Sequence, residues 1–422
     1  MNYRKSSFFI VVFVLLPVVV LPQSKIEINK LHSSYTTKEN RILFKEKLLD
    51  RINSTLSKNL NSLDEYLYRK AIEDAGMYLV KNDTVKNAVN FGLINYEKYS
   101  SAFTRSLLET VYTLYPKEYS TEVDSIFKAT FNEQIFIICL KYLLKNSVYN
   151  SEEIQFILKG KFPNRENNAV LKYFYEELNN NFKLPPLLDL LKHKFQDNKT
   201  IVYSFHRKDR SYLGITIIKS PDGKFVRNND GKFFHVTHLA RSASNLPGYL
   251  KNGNTPQGIF SIVGYYITPT ESIGPTPILL TRCPFEKPTE IFYHGNQNSS
   301  KWNIEDYKSL LPQSWHNYFP ITEAYYAGKA GRRLIIAHGT ADDISFYENE
   351  IYYPFTPTKG CLSTKEIWND DGKLVESGQV ELMNAFFSTN QLKGFLVVVE
   401  IDDQKKTVTL DELLPAILEA EK

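Results

Sequence analysis

The stretch TIVYSFHRKDRSYLGITIIK, residues 200–219, decides the fold. Its two arms, 200–205 and 212–219, are crowded with β-branched and aromatic residues, the composition of paired strands. Further along, short runs of the same kind recur at 232–239, 258–266, 277–282, 290–293, 333–337 and 394–401. Two turn signals, Pro221-Asp222-Gly223 and Asn229-Asp230-Gly231, end in the Asp-Gly pair that suits a tight hairpin turn. Strands at this spacing, with no long helix between them, predict a mostly antiparallel sandwich or barrel.

On the N-terminal side of this stretch the hydrophobic period changes to that of helices. Residues 63–80, LDEYLYRKAIEDAGMYLV, set Leu63, Tyr66, Leu67, Ala71, Ala75, Tyr78 and Leu79 on one helical face. Similar patterns at 101–114, 134–144 and 169–178 carry no fixed repeat, which favours an irregular bundle over a solenoid. The expectation is an α+β chain of two domains: an all-α helical domain over 40–195 and a β-domain over 200–405. A C-terminal tail with a short helix follows at 406–422.

Composition narrows the classes of function. With 42% hydrophobic and 23% charged residues over 422 positions, the chain is neither largely disordered nor a multi-span membrane protein. A net charge of +4 without a basic cluster gives no reason to expect nucleic acid as a partner. Arg4 and Lys5 precede an uncharged run at 8–21, long enough for a secretory signal and short of the ~20 residues that span a bilayer. Residues 1–24 therefore read as a signal peptide or an uncleaved membrane anchor, and the protein as exported to the periplasm or cell envelope. Three cysteines, Cys139, Cys283 and Cys361, cannot form a disulfide framework and leave at least one thiol free. Cys139, in the run IFIICL, and Cys283, before Pro284, read as structural. His235 and His238 lie three apart in an expected strand and so point to opposite faces, a poor metal pair. Nucleotide-loop, dinucleotide and zinc-protease signatures are absent, so neither cofactor nor metal is expected.

Three features of the β-region bear on chemistry. Asn254-Thr255-Pro256-Gln257-Gly258 leads into a strand, Ile335-Ile336-Ala337-His338-Gly339-Thr340 delivers a histidine at a strand end, and Thr358-Lys359-Gly360-Cys361-Leu362-Ser363 sets a cysteine beside glycine. Singly, each has a bland reading as turn, surface histidine or packed thiol. Together they supply what a thiol nucleophile needs: a base, and a glycine that lets backbone N–H groups approach a developing oxyanion. In content and order the three resemble the L,D-transpeptidase catalytic domain, a family of bacterial cell-wall enzymes. The resemblance covers roughly residues 200–405 and is most specific in the His-Gly-Thr and Thr-Lys-Gly-Cys segments.

The resemblance implies a β-sandwich of L,D-transpeptidase type acting without a cofactor on peptidoglycan stem peptides. Cys361 is then the acyl-accepting nucleophile, and His338 its base and later proton donor. The Gly339 carbonyl orients the imidazole, and Gly360 and Cys361 lend backbone donors to the oxyanion. Thr340, Lys359, Ser363 and Tyr353 are expected to line the substrate. Lys359 stands where many members have a second His. Ser363 stands where Arg or Asn is common, which leaves Arg332 or Arg333 to receive the substrate carboxylate. The loop between His338 and Cys361 is longer than usual in the family, so Tyr347, Tyr352, Tyr353 and Phe355 belong either to a lid or to loop packing. With an amine as acceptor the reaction is transpeptidation, and with water it is L,D-carboxypeptidase activity. The rival from another class is a non-catalytic wall-binding scaffold.

Overall fold

The computed structural model describes residues 25–60, 64–196 and 199–422. The expected signal segment 1–24, Leu63 of the second helical face, and Asp197 and Asn198 at the expected domain junction lie outside the described residues.

Among the described residues nine α-helices come first: α1 (Lys38–Leu56), α2 (Glu65–Met77), α3 (Asp83–Asn95), α4 (Ser101–Leu114), α5 (Ser120–Ala129), α6 (Glu133–Lys145), α7 (Ser151–Lys161), α8 (Ala169–Asn179) and α9 (Leu187–Lys192). Their starts are written in the sequence. Asn82, Ser100, Asn132 and Asn150 each accept the backbone N–H of the third residue that follows, and Glu153 completes a capping box with Asn150. Cys139 is fully buried on α6, unpaired with Cys283, which is also buried.

Ten strands follow among the described residues: β1 (Thr200–Arg207), β2 (Gly214–Lys219), β3 (Val236–His238), β4 (Gly258–Tyr266), β5 (Ile278–Arg282), β6 (Ala337–His338), β7 (Leu362–Ser363), β8 (Glu366–Trp368), β9 (Leu374–Ser377) and β10 (Gly394–Asp402). Short helices α10 (Thr289–Phe292), α11 (Ile304–Lys308), α12 (Glu323–Lys329), α13 (Gly378–Phe387) and α14 (Leu410–Ala420) lie between and after them. Thus the protein is mixed α+β, helical first and sheet-rich second.

The sheet departs from the expected sandwich. Eight strands form one sheet in the order β3-β2-β1-β10-β4-β5-β6-β7, antiparallel except for the parallel pairs β1·β10 and β6·β7. Leu239 N donates to Ser363 O at 2.8 Å and Ser363 N to Leu239 O at 2.9 Å, joining the end of β3 to β7. The sheet so returns on itself as a near-barrel, which removes the exposed edges that two facing sheets would keep. Val202, Ile218, Phe260, Leu396 and Val398 fill its interior together with Cys283. The alternate residues Tyr203, Phe205, Phe395 and Val397 join an apolar cluster that continues into the helices. Both faces are therefore covered, and β1 is buried along its whole length.

Two expected strands change form. The 290–293 run belongs to α10, since a run of four residues is too short for periodicity to separate helix from strand. The 333–337 run keeps ladder pairing only at Ala337, because Leu334 adopts φ 56° and breaks the pleat.

Candidate active site

In the parallel pair β6·β7, Ala337 stands opposite Leu362 and His338 opposite Ser363. Ala337 and Leu362 point into the near-barrel. Strand alternation sends His338 and Ser363 to the other face, and Cys361, one residue before Leu362, to that same face. The register thus turns imidazole and thiol toward one face, although no hydrogen bond joins them among the described residues.

His338 is buried, and its Nδ1 lies 2.5 Å from the carbonyl oxygen of Gly339. A carbonyl only accepts, so Nδ1 carries the proton and Nε2 presents the lone pair. Burial pushes the imidazole below its ordinary range, with the Gly339 carbonyl opposing, so the ring is neutral near pH 7. Gly339 itself is required: a Cβ there would overlap the carboxyl of Glu366, which accepts from Ser377 Oγ at 2.6 Å.

The thiol of Cys361 is half-buried and donates to Leu334 O at 3.4 Å. Burial pushes it above the ordinary thiol range; the Ile336 N–H and the Arg332 guanidinium pull it down, and Glu286 pushes it up again. The resting pair is accordingly thiol and neutral imidazole. Arg332 is buried and donates to the carbonyls of Gly248, Asn254 (2.7 Å), Gly253 (2.9 Å) and Lys359 (3.3 Å). Gly360, at φ 110°, passes so close to this guanidinium that a Cβ would overlap it. Thr358 Oγ1 then fixes the turn, accepting Gly360 N–H at 2.9 Å and donating to Cys361 O at 3.0 Å.

Compared with family models, curated proteins and solved structures, this chain has no match.

The roles carried over from the resemblance fare differently in this geometry. Gly339 holds the imidazole as described. The Gly360 N–H is taken by Thr358, so of the two backbone donors only that of Cys361 lacks a hydrogen-bond partner among the described residues. Arg332 is committed to four carbonyls and is not a free carboxylate ligand, whereas Arg333 is exposed. Thr340 is buried, with Oγ1 accepting from Thr356 at 2.9 Å and its carbonyl from Trp368 Nε1 at 2.9 Å. Ser363 is buried and donates to Thr356 O at 2.8 Å. Neither hydroxyl is presented to a substrate. Lys359 is half-exposed, 3.6 Å from Glu73 of α2.

Tyr347, Tyr352 and Phe355 are buried in a small cluster with Leu239, and Tyr347 OH donates to Met77 O at 3.0 Å. These rings pack the loop down rather than forming a lid; Tyr353 alone of the four is exposed. The bundle also covers the cysteine loop from above. The cavity between Lys359, Glu73, Ser106 and Glu109 holds only about 40 Å³, well short of a peptide site. Sequence reasoning missed Leu334, whose positive φ aims its carbonyl at the thiol while its side chain stays 64% exposed. It missed Glu286 too, which accepts Leu334 N–H at 3.3 Å and pairs with Arg282.

Proposed function

We propose that this protein is an exported, cysteine-dependent acyltransferase of L,D-transpeptidase type acting on peptidoglycan stem peptides. The observation that carries the reading is the β6·β7 register, which turns the His338 imidazole and the half-buried Cys361 thiol toward one face, with the Nδ1 proton fixed on Gly339 so that Nε2 is left as base.

The chemistry follows from the protonation states. Cys361 Sγ attacks the carbonyl carbon of the third stem residue as its proton passes to His338 Nε2. The oxyanion forms against the Cys361 N–H, in the field of the buried Arg332 guanidinium. The C–N bond to the terminal D-amino acid breaks, and the departing amine takes the proton from Nε2, leaving a thioester on Cys361. An incoming amine then gives its proton to Nε2 and attacks the thioester carbonyl. The sulfur leaves and recovers that proton. Water in place of the amine completes an L,D-carboxypeptidase cycle with the same proton path. On this reading the substrate reaches the thiol beside the exposed side chain of Leu334, since the cavity on the helical side is too small for a peptide.

A second reading, a wall-binding scaffold, is favoured by the commitment of Gly360 N–H and Arg332 to the protein itself. The test is incubation of the purified protein with a stem tetrapeptide. Release of the terminal D-amino acid, lost in Cys361→Ala, supports the acyltransferase. Binding of the tetrapeptide without release supports the scaffold.

A further inference from the structure

The backbone leading into β4 is held by two buried ionisable side chains, a guanidinium and a carboxyl. Arg332 takes carbonyls of residues 248–254, and Glu323 of α12 accepts the N–H groups of Tyr249 at 3.2 Å and Gln257 at 2.9 Å. Glu323 also lines a cavity of about 390 Å³ at the seam between α8, the start of α12 and the end of β10. The carboxylates of Glu177 and Glu400 border the same cavity, as do Asp402, Asp403 and Lys208.

Most of this charge is answered within the protein. Glu177 pairs with Lys141 at 2.8 Å, Glu400 with Arg210 at 2.9 Å and Asp402 with Arg207 at 2.8 Å. Glu323 is buried and makes no ion pair among the described residues; burial and neighbouring Glu400 push its carboxyl up to about 8, against the Gln257 N–H and the Arg210 guanidinium, which pull it down. A buried carboxylate without a counter-ion is costly. A second observation is independent of the acidic side chains. Gln257, 3% exposed, lines the cavity and donates Nε2 to Glu400, but its buried Oε1 has no hydrogen-bond partner among the described residues. What is missing is therefore a donor to Gln257 Oε1, and a donor that carries positive charge would also favour the ionised form of Glu323 beside it. The rings of Tyr173, Tyr318 and Phe319 form the remaining wall, a surface that suits an organic cation with an apolar stem.

We infer that this cavity binds a primary ammonium group on an aliphatic stem, its N–H donors shared between Gln257 Oε1 and the Glu323 and Glu400 carboxylates. An ammonium has three donors and no acceptor, which matches the three acceptors Gln257 Oε1, Glu323 and Glu400, while Lys208 on the same cavity acts on Glu177 and Glu400. The acidic side chains do not gather into a ligand set for a metal ion among the described residues. The site is separate from the thiol chemistry, so it stands or falls independently of the activity assigned to Cys361.

The test is titration of the whole protein with Nα-acetyl-lysine N-methylamide by calorimetry, beside the norleucine amide, which keeps the stem and lacks the charge. Saturable one-to-one binding of the lysine amide is expected, with the norleucine amide at least ~10-fold weaker. Glu323→Gln should weaken the lysine amide by a similar factor. Because Glu323 also holds two backbone amides, Tyr318→Ala serves as a second variant: it removes only a wall and should weaken binding severalfold. Equal binding of the two amides, no saturable binding of the lysine amide, or unchanged affinity in a folded Glu323→Gln or Tyr318→Ala protein would each overturn the inference.

Discussion

At Cys361 and His338, burial drives both groups toward their neutral forms, and this sets how the pair reacts. A thiol raised by burial should alkylate with iodoacetamide along a pH profile whose midpoint lies above that of a free-cysteine peptide. His338→Ala should leave this midpoint in place, because a neutral imidazole does not stabilise thiolate. It should nevertheless slow acylation by roughly 10²- to 10⁴-fold, the span for loss of a general base. A midpoint that rises in His338→Ala would show a resting thiolate–imidazolium pair instead. Thr358 offers a separate test of positioning. Thr358→Val keeps the shape and deletes the hydroxyl that holds Gly360 N–H and Cys361 O. It should cost about 1 to 3 kcal/mol of stability and lower acylation while leaving the alkylation midpoint nearly unmoved. Denaturant unfolding and adduct kinetics measure the two effects.

Among the elements, β1 to β3 carry a buried polar chain within the near-barrel. Ser204 Oγ lies 2.7 Å from His206 Nε2 and 2.8 Å from Thr216 Oγ1, which lies 2.7 Å from His238 Nδ1. Burial pushes both imidazoles well down, His238 to about 3. Thr216→Val breaks the chain at its centre and should destabilise the protein by about 1 to 3 kcal/mol, measured by chemical denaturation. An unchanged unfolding midpoint would show that the chain contributes nothing net. The same elements show what local sequence can and cannot tell. The pattern at 101–114 matches α4 residue for residue, because an amphipathic run of that length with a serine cap has one solution. The strand at 258–266 is equally plain. Closure of the sheet through Leu239 and Ser363 is a long-range pairing that no local pattern encodes, so a barrel could not be told from a sandwich. Cys361, His338 and Gly339 were legible because a thiol, a strand-end histidine and glycines occur in a telling order. Leu334 and Glu286 were not, since an apolar residue in a β-rich run gives no sign that its backbone will turn to positive φ and serve the thiol.

For the whole molecule, buried carboxyls set the pH range of stability. Burial raises Asp342 to about 7, where Tyr35 and Tyr78 partly oppose it, and raises Glu366 to about 7 and Glu323 to about 8. Between their unfolded and folded values the native chain holds protons that the unfolded chain has released. Stability that these groups contribute in acid is therefore lost as pH rises through 7 and 8. Unfolded histidines are half neutral at about pH 6.5 and nearly all neutral by about pH 7.5, so the carboxyls decide the trend above pH 7. The melting temperature should fall from about pH 7 to about pH 8. Asp342→Asn, which removes the charge at the contact between Tyr35 and the loop before Cys361, should fall less steeply. A flat or rising melting temperature in wild type would contradict this.

The helices and the near-barrel share one continuous apolar cluster, and the bundle closes the cysteine loop from one side. On the proposed reading, covalent capture of an acyl donor occurs at the thiol beside the exposed Leu334. The direct measurement is intact-protein mass spectrometry after incubation with a carbapenem, followed by peptide mapping. The account predicts a single acyl adduct mapped to Cys361, absent in Cys361→Ala and still formed in Cys139→Ala and Cys283→Ala. No adduct on the folded wild-type protein, or an adduct that persists in Cys361→Ala, would contradict it.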